Sequence, residues 1–168
     1  MSNINNTLAN IELAQIGWVV PDIDTAVKFF TNALSISFPK PEHVRAADLE
    51  MTYYGKKVAG DWLTTQTYNG GAFIELVQPL SGQSMFHDYL AKHPAGGTQH
   101  MAFRLPVSDF ESITGDLCNQ GYPVISEVDH SIARMAFFDT YQTLGVATEI
   151  MGITTEGWIA IEQMQKTR

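Results

Sequence analysis

Two stretches of the chain repeat one pattern of apolar and polar positions. Residues 15–21 and residues 100–106 each form a short, mostly apolar run that ends at a proline, which is typical of a strand. Apolar residues at helical spacing follow in both places, as far as Leu34 in the first copy and Leu117 in the second. The pattern therefore predicts a strand–helix unit that occurs twice.

Three further strand-like runs follow each helix. They are residues 49–58, 62–68 and 72–78 in the first copy and residues 124–128, 134–138 and 146–151 in the second. The turn Asn69-Gly70-Gly71 between two of them is typical of a β-hairpin. We therefore expect an α+β fold made of two βαβββ modules. The predicted boundaries are 9–80 for the first module, 81–97 for a connector with a short helix, 98–152 for the second module and 153–168 for a C-terminal helix, after a polar lead over residues 1–8.

Composition and charge exclude several classes of protein. The chain has 168 residues, of which 45% are apolar and 17% charged, so it can bury a core without a disulfide or structural metal. A net charge of -8 repels phosphate, and we expect no nucleic-acid partner. Cys118 is the single cysteine, and residues 1–6 lack the features of a secretion signal. No run approaches the ~20 apolar residues that span a bilayer. We expect a cytoplasmic protein without a membrane partner.

Four polar side chains interrupt strands that otherwise have the pattern of buried ones. Gln15 and His100 open the first strand of each copy, and Glu75 and Glu149 lie inside the last. Each alone has an ordinary explanation, as a carboxylate on a solvated strand face or a hydrogen-bonded amide or imidazole in a core. Their equivalent positions call for a shared explanation, because a buried carboxylate is costly unless it is paired or coordinated. A divalent metal ion bound by all four would neutralise both carboxylates.

The sequence resembles the vicinal oxygen chelate superfamily, which includes glyoxalase I, bleomycin-resistance proteins, extradiol dioxygenases and methylmalonyl-CoA epimerase. The segments that carry the resemblance are residues 16–22, 26–30, 33–34, 75–80, 86–90 and 97–103. The last three are most similar to the epimerase branch. The resemblance covers residues 12 to 152. It implies a glyoxalase-like fold, in which the two modules form a curled mixed sheet around one cleft, and it implies a homodimer.

By position, the four metal ligands of the superfamily fall on Gln15, Glu75, His100 and Glu149. This set resembles the zinc site of animal-type glyoxalase I, whereas many other members have histidine in the first place. The resemblance implies one divalent ion, which ligand type allows to be zinc, cobalt, nickel, manganese or magnesium. It disfavours an iron-dependent dioxygenase, which resembles a site of two histidines and one carboxylate.

The resemblance implies a metal-dependent isomerase, epimerase or lyase that acts on a small-molecule carbonyl substrate. The metal would stabilise the enediolate that forms when a proton is removed next to the carbonyl group. Glu149 is the expected general base, by resemblance to a mobile carboxylate ligand of glyoxalase I, and Glu75 or Glu50 would serve on the opposite face. Val19 and Pro79 replace the glutathione contacts of glyoxalase I, which argues against a glutathione adduct.

The residues leave two points open. Tyr53, Tyr54, Trp62 and Tyr68 either line a pocket for a partly apolar substrate or fill the core. The chain is either an enzyme or a metal-free protein of the bleomycin-resistance type, which would sequester an apolar or cationic small molecule. The net charge of -8 suits the binding protein, whereas the complete set of four ligands suits the enzyme.

Overall fold

Residues 10–166, which the computed structural model describes, form ten β-strands and five α-helices. The strands are β1 (Glu12–Val19), β2 (Glu42–Arg45), β3 (Glu50–Tyr53), β4 (Lys56–Lys57), β5 (Ala59–Asn69), β6 (Ala72–Gln83), β7 (Gly97–Pro106), β8 (Val124–His130), β9 (Ala133–Phe138) and β10 (Ala147–Ile153). The helices are α1 (Ile23–Leu34), α2 (Met85–Lys92), α3 (Phe110–Asn119), α4 (Tyr141–Leu144) and α5 (Thr155–Lys166). The predicted polar lead, the predicted module start at residue 9 and the last two residues lie outside the described residues.

All ten of these strands belong to one mixed sheet, in the order β2-β5-β6-β1-β7-β10-β9-β8-β3-β4. The two copies meet where β1 and β7 pair antiparallel. Within each copy the first strand pairs parallel with the last, β1 with β6 and β7 with β10. The expected α+β fold with a curled mixed sheet is therefore confirmed.

The sheet curls so far that its two edges are linked by one short turn of chain. β2 pairs with β5 at one edge, and β3 starts only after a 3₁₀ turn over residues 46–48 yet pairs with β8 near the other edge. The prediction of one strand over residues 49–58 is wrong. Tyr54 and Gly55 have φ angles of 46° and 73°, which split this run into the hairpin β3–β4. β2, whose residues are mostly polar, pairs with β5 at the edge of the sheet.

The two faces of the sheet have different partners. Helix α1 packs on one face, where Phe30 meets Trp18 of β1 edge-on at 6.0 Å between ring centroids. On the other face, Met51 of β3 and Trp62 of β5 belong to one apolar cluster although their strands lie toward opposite edges. Such contacts are possible only on the inside of the curl, so this face forms an enclosed interior.

Apolar side chains fill the interior from both ends and leave a polar layer between. Helix α2 contributes Phe86 to the cluster at one end, and α5 contributes Ile161 to a second cluster at the other end. On β6, Val77 belongs to the first cluster and Phe73 to the second. Glu75 lies midway between them on the same face, because side chains alternate along a strand.

None of the helices within residues 10–166 is long and apolar enough to cross a membrane. β6 continues to Gln83, three residues beyond the boundary predicted for the first module. The cytoplasmic location and the homodimer stay predictions.

Candidate active site

Four neighbouring strands bring the predicted polar residues into one cluster. Gln15 lies on β1, Glu75 on β6, His100 on β7 and Glu149 on β10, and these strands are adjacent in the sheet. We call these four side chains the polar cluster. The register is the same in both copies, since Glu75 pairs with the residue two positions after Gln15, and Glu149 with the residue two positions after His100.

The imidazole of His100 lies at the centre of the polar cluster. Its Nε2 atom is 3.1 Å from Gln15 Nε2, 3.4 Å from Glu75 Oε2 and 3.5 Å from Glu149 Oε2. Gln15 Nε2 also donates a hydrogen bond of 2.9 Å to Glu75 Oε2. The fold therefore brings the functional groups of the other three predicted side chains within hydrogen-bonding or ion-pair distance of Nε2 of His100.

Small residues make room for the two central side chains. Gly17 pairs with His100 across β1 and β7, and Ala102 pairs with Gln15. A Cβ atom at Gly17 would lie 2.0 Å from Cε1 of His100, so the ring rests directly on the backbone of β1. Sequence reasoning did not assign Gly17 a role, and the signal available was a glycine inside an otherwise apolar strand.

Gln99 fixes the orientation of His100. Gln99 Oε1 lies 2.7 Å from Nδ1 of His100, and because a carbonyl oxygen can only accept, Nδ1 carries the proton. Gln99 Nε2 in turn donates to the Tyr141 hydroxyl at 2.7 Å. In the neutral ring, Nε2 therefore presents its lone pair to the polar cluster.

A β-bulge explains how Gln99 reaches this position. Gly17 pairs with His100 and Trp18 with Thr98, so Gln99 is the extra residue in β7. In a regular strand, the side chain before His100 would point to the opposite face. A bulge re-aims one side chain, and this one is fully buried beside the ring. No local sequence pattern indicates the bulge, which is why Gln99 was missed.

The pKa values of both Glu149 and His100 are raised, for different reasons. Burial raises the pKa of Glu149 to about 7, the charge of His100 opposes this rise and the charge of Glu75 adds to it. Burial alone would lower the pKa of His100, but the hydrogen bond to Glu75 and the charges of Glu149 and Glu75 outweigh it, so this pKa is raised. Without a metal ion the cluster therefore tends to keep a proton near neutral pH.

The two carboxylates differ in how they are held. Glu75 accepts hydrogen bonds at both oxygens, from Gln15 and, at 3.2 Å, from the Thr64 hydroxyl. Glu149 is 2% exposed, and its Oε2 atom is buried without a hydrogen-bond partner. An orphaned carboxylate oxygen is rare in a protein interior, and a cation or a proton bound there would satisfy it.

The donor set has the ligand types of a divalent-ion site, and its side chains would have to rearrange to bind an ion. Ligands about 2.1 Å from an ion lie about 3.0–3.4 Å from each other, close to the separations around His100 Nε2. Within residues 10–166, however, no three His, Cys, Asp or Glu side chains already converge on one metal position. The Gln15 amide presents its NH₂ group to the cluster, and turning it over would present its oxygen instead.

Glu50 lies apart from the polar cluster. It is exposed on β3, whereas the next residue, Met51, is buried in the interior. Since neighbouring side chains of a strand face opposite ways, Glu50 points away from the interior. The expectation that it serves as a second base is therefore not supported.

The four aromatic residues that the sequence left open divide into two groups. Trp62 is buried against Phe86 in the core, whereas the half-buried Tyr68 packs on Phe73 and also lines a groove of about 920 Å³. Tyr53 and Tyr54 line a separate cavity of about 330 Å³ beside α2.

Comparison with known proteins gives one family and a set of structural neighbours. A family model described as the glyoxalase/bleomycin resistance protein/dioxygenase superfamily matches residues 14–137. No curated protein matches the chain. A hypothetical protein from Bacillus halodurans is 21% identical and has a TM-score of 0.62, over 84% of this chain and 94% of that one.

Two further neighbours are methylmalonyl-CoA epimerases. The enzyme from Mycobacterium tuberculosis is 20% identical with a TM-score of 0.60, over 89% of this chain and 91% of that one. A variant of the Streptomyces coelicolor enzyme, in complex with 2-nitronate-propionyl-CoA, is 22% identical with a TM-score of 0.58, over 85% of this chain and 93% of that one. At these identities the likeness concerns the fold.

Gly17→Ala is expected to displace the His100 ring and destabilise the protein by about 1–3 kcal/mol, because the new methyl group overlaps the imidazole. The matched control is Gly115→Ala in α3, where nothing lies within 4 Å of an added Cβ. It should stabilise the helix by about 0.5–1 kcal/mol. Urea unfolding measures both. Equal midpoints for Gly17→Ala and the wild type would contradict the position of the ring.

Proposed function

Because the chain belongs to the glyoxalase/bleomycin resistance protein/dioxygenase superfamily, we propose that it is a divalent-metal-dependent isomerase or lyase that removes a proton next to a carbonyl group. The superfamily resemblance is thereby confirmed, and the epimerases among the structural neighbours match the branch that the sequence resembles. The observation that carries the proposal is the polar cluster, in which two carboxylates and an amide surround the Nε2 atom of one buried imidazole.

Gln15, Glu75, His100 and Glu149 would hold the ion. A divalent ion bound there supplies a Lewis acid for the oxygens of a carbonyl compound. Gln99 holds His100 with Nε2 toward the cluster, and Thr64 and Gln15 hold Glu75 in place. These contacts support the ligand set, because metal-binding histidines and carboxylates are usually oriented by such hydrogen bonds.

Glu149 is the proposed general base. Both oxygens of Glu75 are already hydrogen-bonded, whereas Oε2 of Glu149 has no partner and is free to accept a proton. Glu50 is the one carboxylate of β3, and it lies on the outside of the sheet. β3 therefore presents no second carboxylate to Glu149. This supports a reaction in which one base both removes and returns the proton, rather than a two-base epimerisation.

The metal proposal predicts about one divalent ion per chain in protein purified without chelators or a histidine tag. Elemental mass spectrometry measures the content, and thermal melting with and without the ion measures its effect. Removal should lower the melting temperature by several degrees, since a ligand that binds only the folded state stabilises it. His100→Ala should abolish uptake. A wild-type protein that stays empty after metal addition would contradict the proposal.

Gln99→Leu is expected to lower metal affinity about 10- to 100-fold, because His100 loses the acceptor that orients its ring. Tyr141→Phe is the matched control, since it removes only the hydroxyl beyond Gln99 and should change the affinity less. Competition with a chromophoric chelator gives both dissociation constants. An unchanged affinity in Gln99→Leu would mean that Gln99 does not support the ligand.

Glu149→Gln should slow the reaction at least about 100-fold, the usual contribution of a general base. The readout is exchange of the C–H proton in D₂O, followed by NMR, with 2-oxo acids, 2-hydroxy acids and methylmalonyl-CoA as first compounds. Glu127→Gln makes the same substitution at an exposed position of β8 and should leave the rate unchanged. Equal rates in wild type and Glu149→Gln would remove Glu149 from the mechanism.

A metal-free binding protein is the second candidate function. It is favoured by one observation: in the described residues the cluster is closed by its own hydrogen bonds, without a preformed metal position. Such a protein would melt at the same temperature with and without divalent ions, so the metal experiment separates the two functions.

A further inference from the structure

We propose that a small cavity between the polar cluster and α5 is a carboxylate subsite, in which Arg104 binds an acid group of the substrate. The identity of this ligand as a substrate rests on the function proposed above, whereas the binding site itself does not.

The cavity has a volume of about 110 Å³ and an apolar wall. Phe73, Ala133 and Met151 are among the apolar residues that line it. Three polar side chains face the same space: Gln15, Gln66 and Arg104. An apolar enclosure with a few convergent polar groups is the usual form of a small-molecule site.

Arg104 is a buried cation with unused hydrogen-bonding capacity. The residue is 7% exposed, and its Nη1 atom is buried without a hydrogen-bond partner. The guanidinium lies over the ring of Trp158 on α5, 5.5 Å from the centroid. A buried charged donor without an acceptor destabilises the folded protein, and a ligand that supplies the acceptor would remove this cost.

An ion pair with Glu12 explains only part of this arrangement. Glu12 and Arg104 are cross-strand partners in β1 and β7, and Nε of Arg104 lies 3.1 Å from Glu12 Oε2. The Glu12 side chain is 46% exposed, so the pair is formed at the rim of the sheet. A purely structural pair would satisfy Nε and leave no reason for an orphaned Nη1 beside a cavity.

The position of the cavity links it to the polar cluster. Arg104 and His100 are four residues apart on β7, about 13 Å along the strand. Ala102 between them is fully buried and small, and Gln15 lines the cavity while it also belongs to the cluster. The cavity that Arg104 lines therefore adjoins the polar cluster at Gln15.

A groove next to the cavity indicates that the rest of the substrate is uncharged. A groove of about 920 Å³ shares Gln66, Phe73 and Met164 with the cavity. All residues that line this groove are uncharged, so it offers no cation for a phosphate-bearing tail. The substrate class is thus a carbonyl-containing carboxylic acid with a neutral side group.

Binding of sodium propionate to metal-free protein tests the subsite. Propionate should raise the melting temperature of the wild type by roughly 3–5 °C at ten times its dissociation constant. Propionamide, which has the same shape without the charge, and sodium phosphate at equal ionic strength should have no such effect. Arg104→Gln should abolish the response to propionate. Glu12→Gln, the matched control, removes the competing carboxylate and should tighten propionate binding.

The outcomes are distinct. Equal effects of propionate and propionamide, an unchanged response in Arg104→Gln, or stabilisation by phosphate alone would each overturn the carboxylate subsite. If Arg104→Gln does not fold, the direction of change in Glu12→Gln decides, because a purely structural ion pair predicts no tighter binding. Metal uptake without a propionate response would refute the subsite and leave the proposed function intact. A propionate response that needs Arg104, in a protein that takes up no metal, would support the subsite and refute the proposed function.

Discussion

The site depends on placing two carboxylates, the buried Glu149 and the half-buried Glu75, beside one imidazole in the middle of the sheet. Glu149 and His100 are almost completely inaccessible, and Glu75 lies within 3.4 Å of the same ring nitrogen. Negative charges this close in an apolar interior are unstable without a positive charge between them. The pKa values of His100 and Glu149 are raised because a bound proton reduces the net negative charge of the cluster. A divalent ion would supply the positive charge that the cluster needs, because it neutralises both carboxylates at once.

The seam between β1 and β7 has the geometry that this burial needs. Each central polar residue lies opposite a small one, His100 opposite Gly17 and Gln15 opposite Ala102. Each is also preceded by a residue that has no partner in the β1–β7 register, Gln99 before His100 and Ala14 before Gln15. The repeat in the sequence therefore becomes an approximate twofold relation in space, and the polar cluster lies on its axis. The backbone register between β1 and β7 therefore provides the space and the orientation that the side chains of Gln15 and His100 need.

Local pattern was enough to predict the polar cluster, since strand side chains alternate and the two copies share one register. It was not enough for features that depend on distant pairing. Glu50 was expected at the site by resemblance to an epimerase base on a comparable strand, whereas β3 buries Met51 and leaves Glu50 exposed on the outer face. Gln99 reaches the cluster through a bulge, and the case for Arg104 rests on an orphaned Nη1 atom in a residue that lines a cavity. The alternation of apolar residues carries no information on either.

The two copies differ at one pair of equivalent positions, and this difference makes the two ends of the interior unlike each other. Arg104 is four residues after His100, and the equivalent position after Gln15 is Val19, which is fully buried in the apolar cluster next to α2. Because β1 and β7 run antiparallel, these two positions lie at opposite ends of the interior. The end next to α2 holds the apolar cluster and the cavity lined by Tyr53 and Tyr54, whereas the other end combines a buried cation with a cavity under α5. A fold built from two similar halves thus acquires two different ends, because Val19 packs in the apolar cluster whereas its counterpart Arg104 lines a cavity.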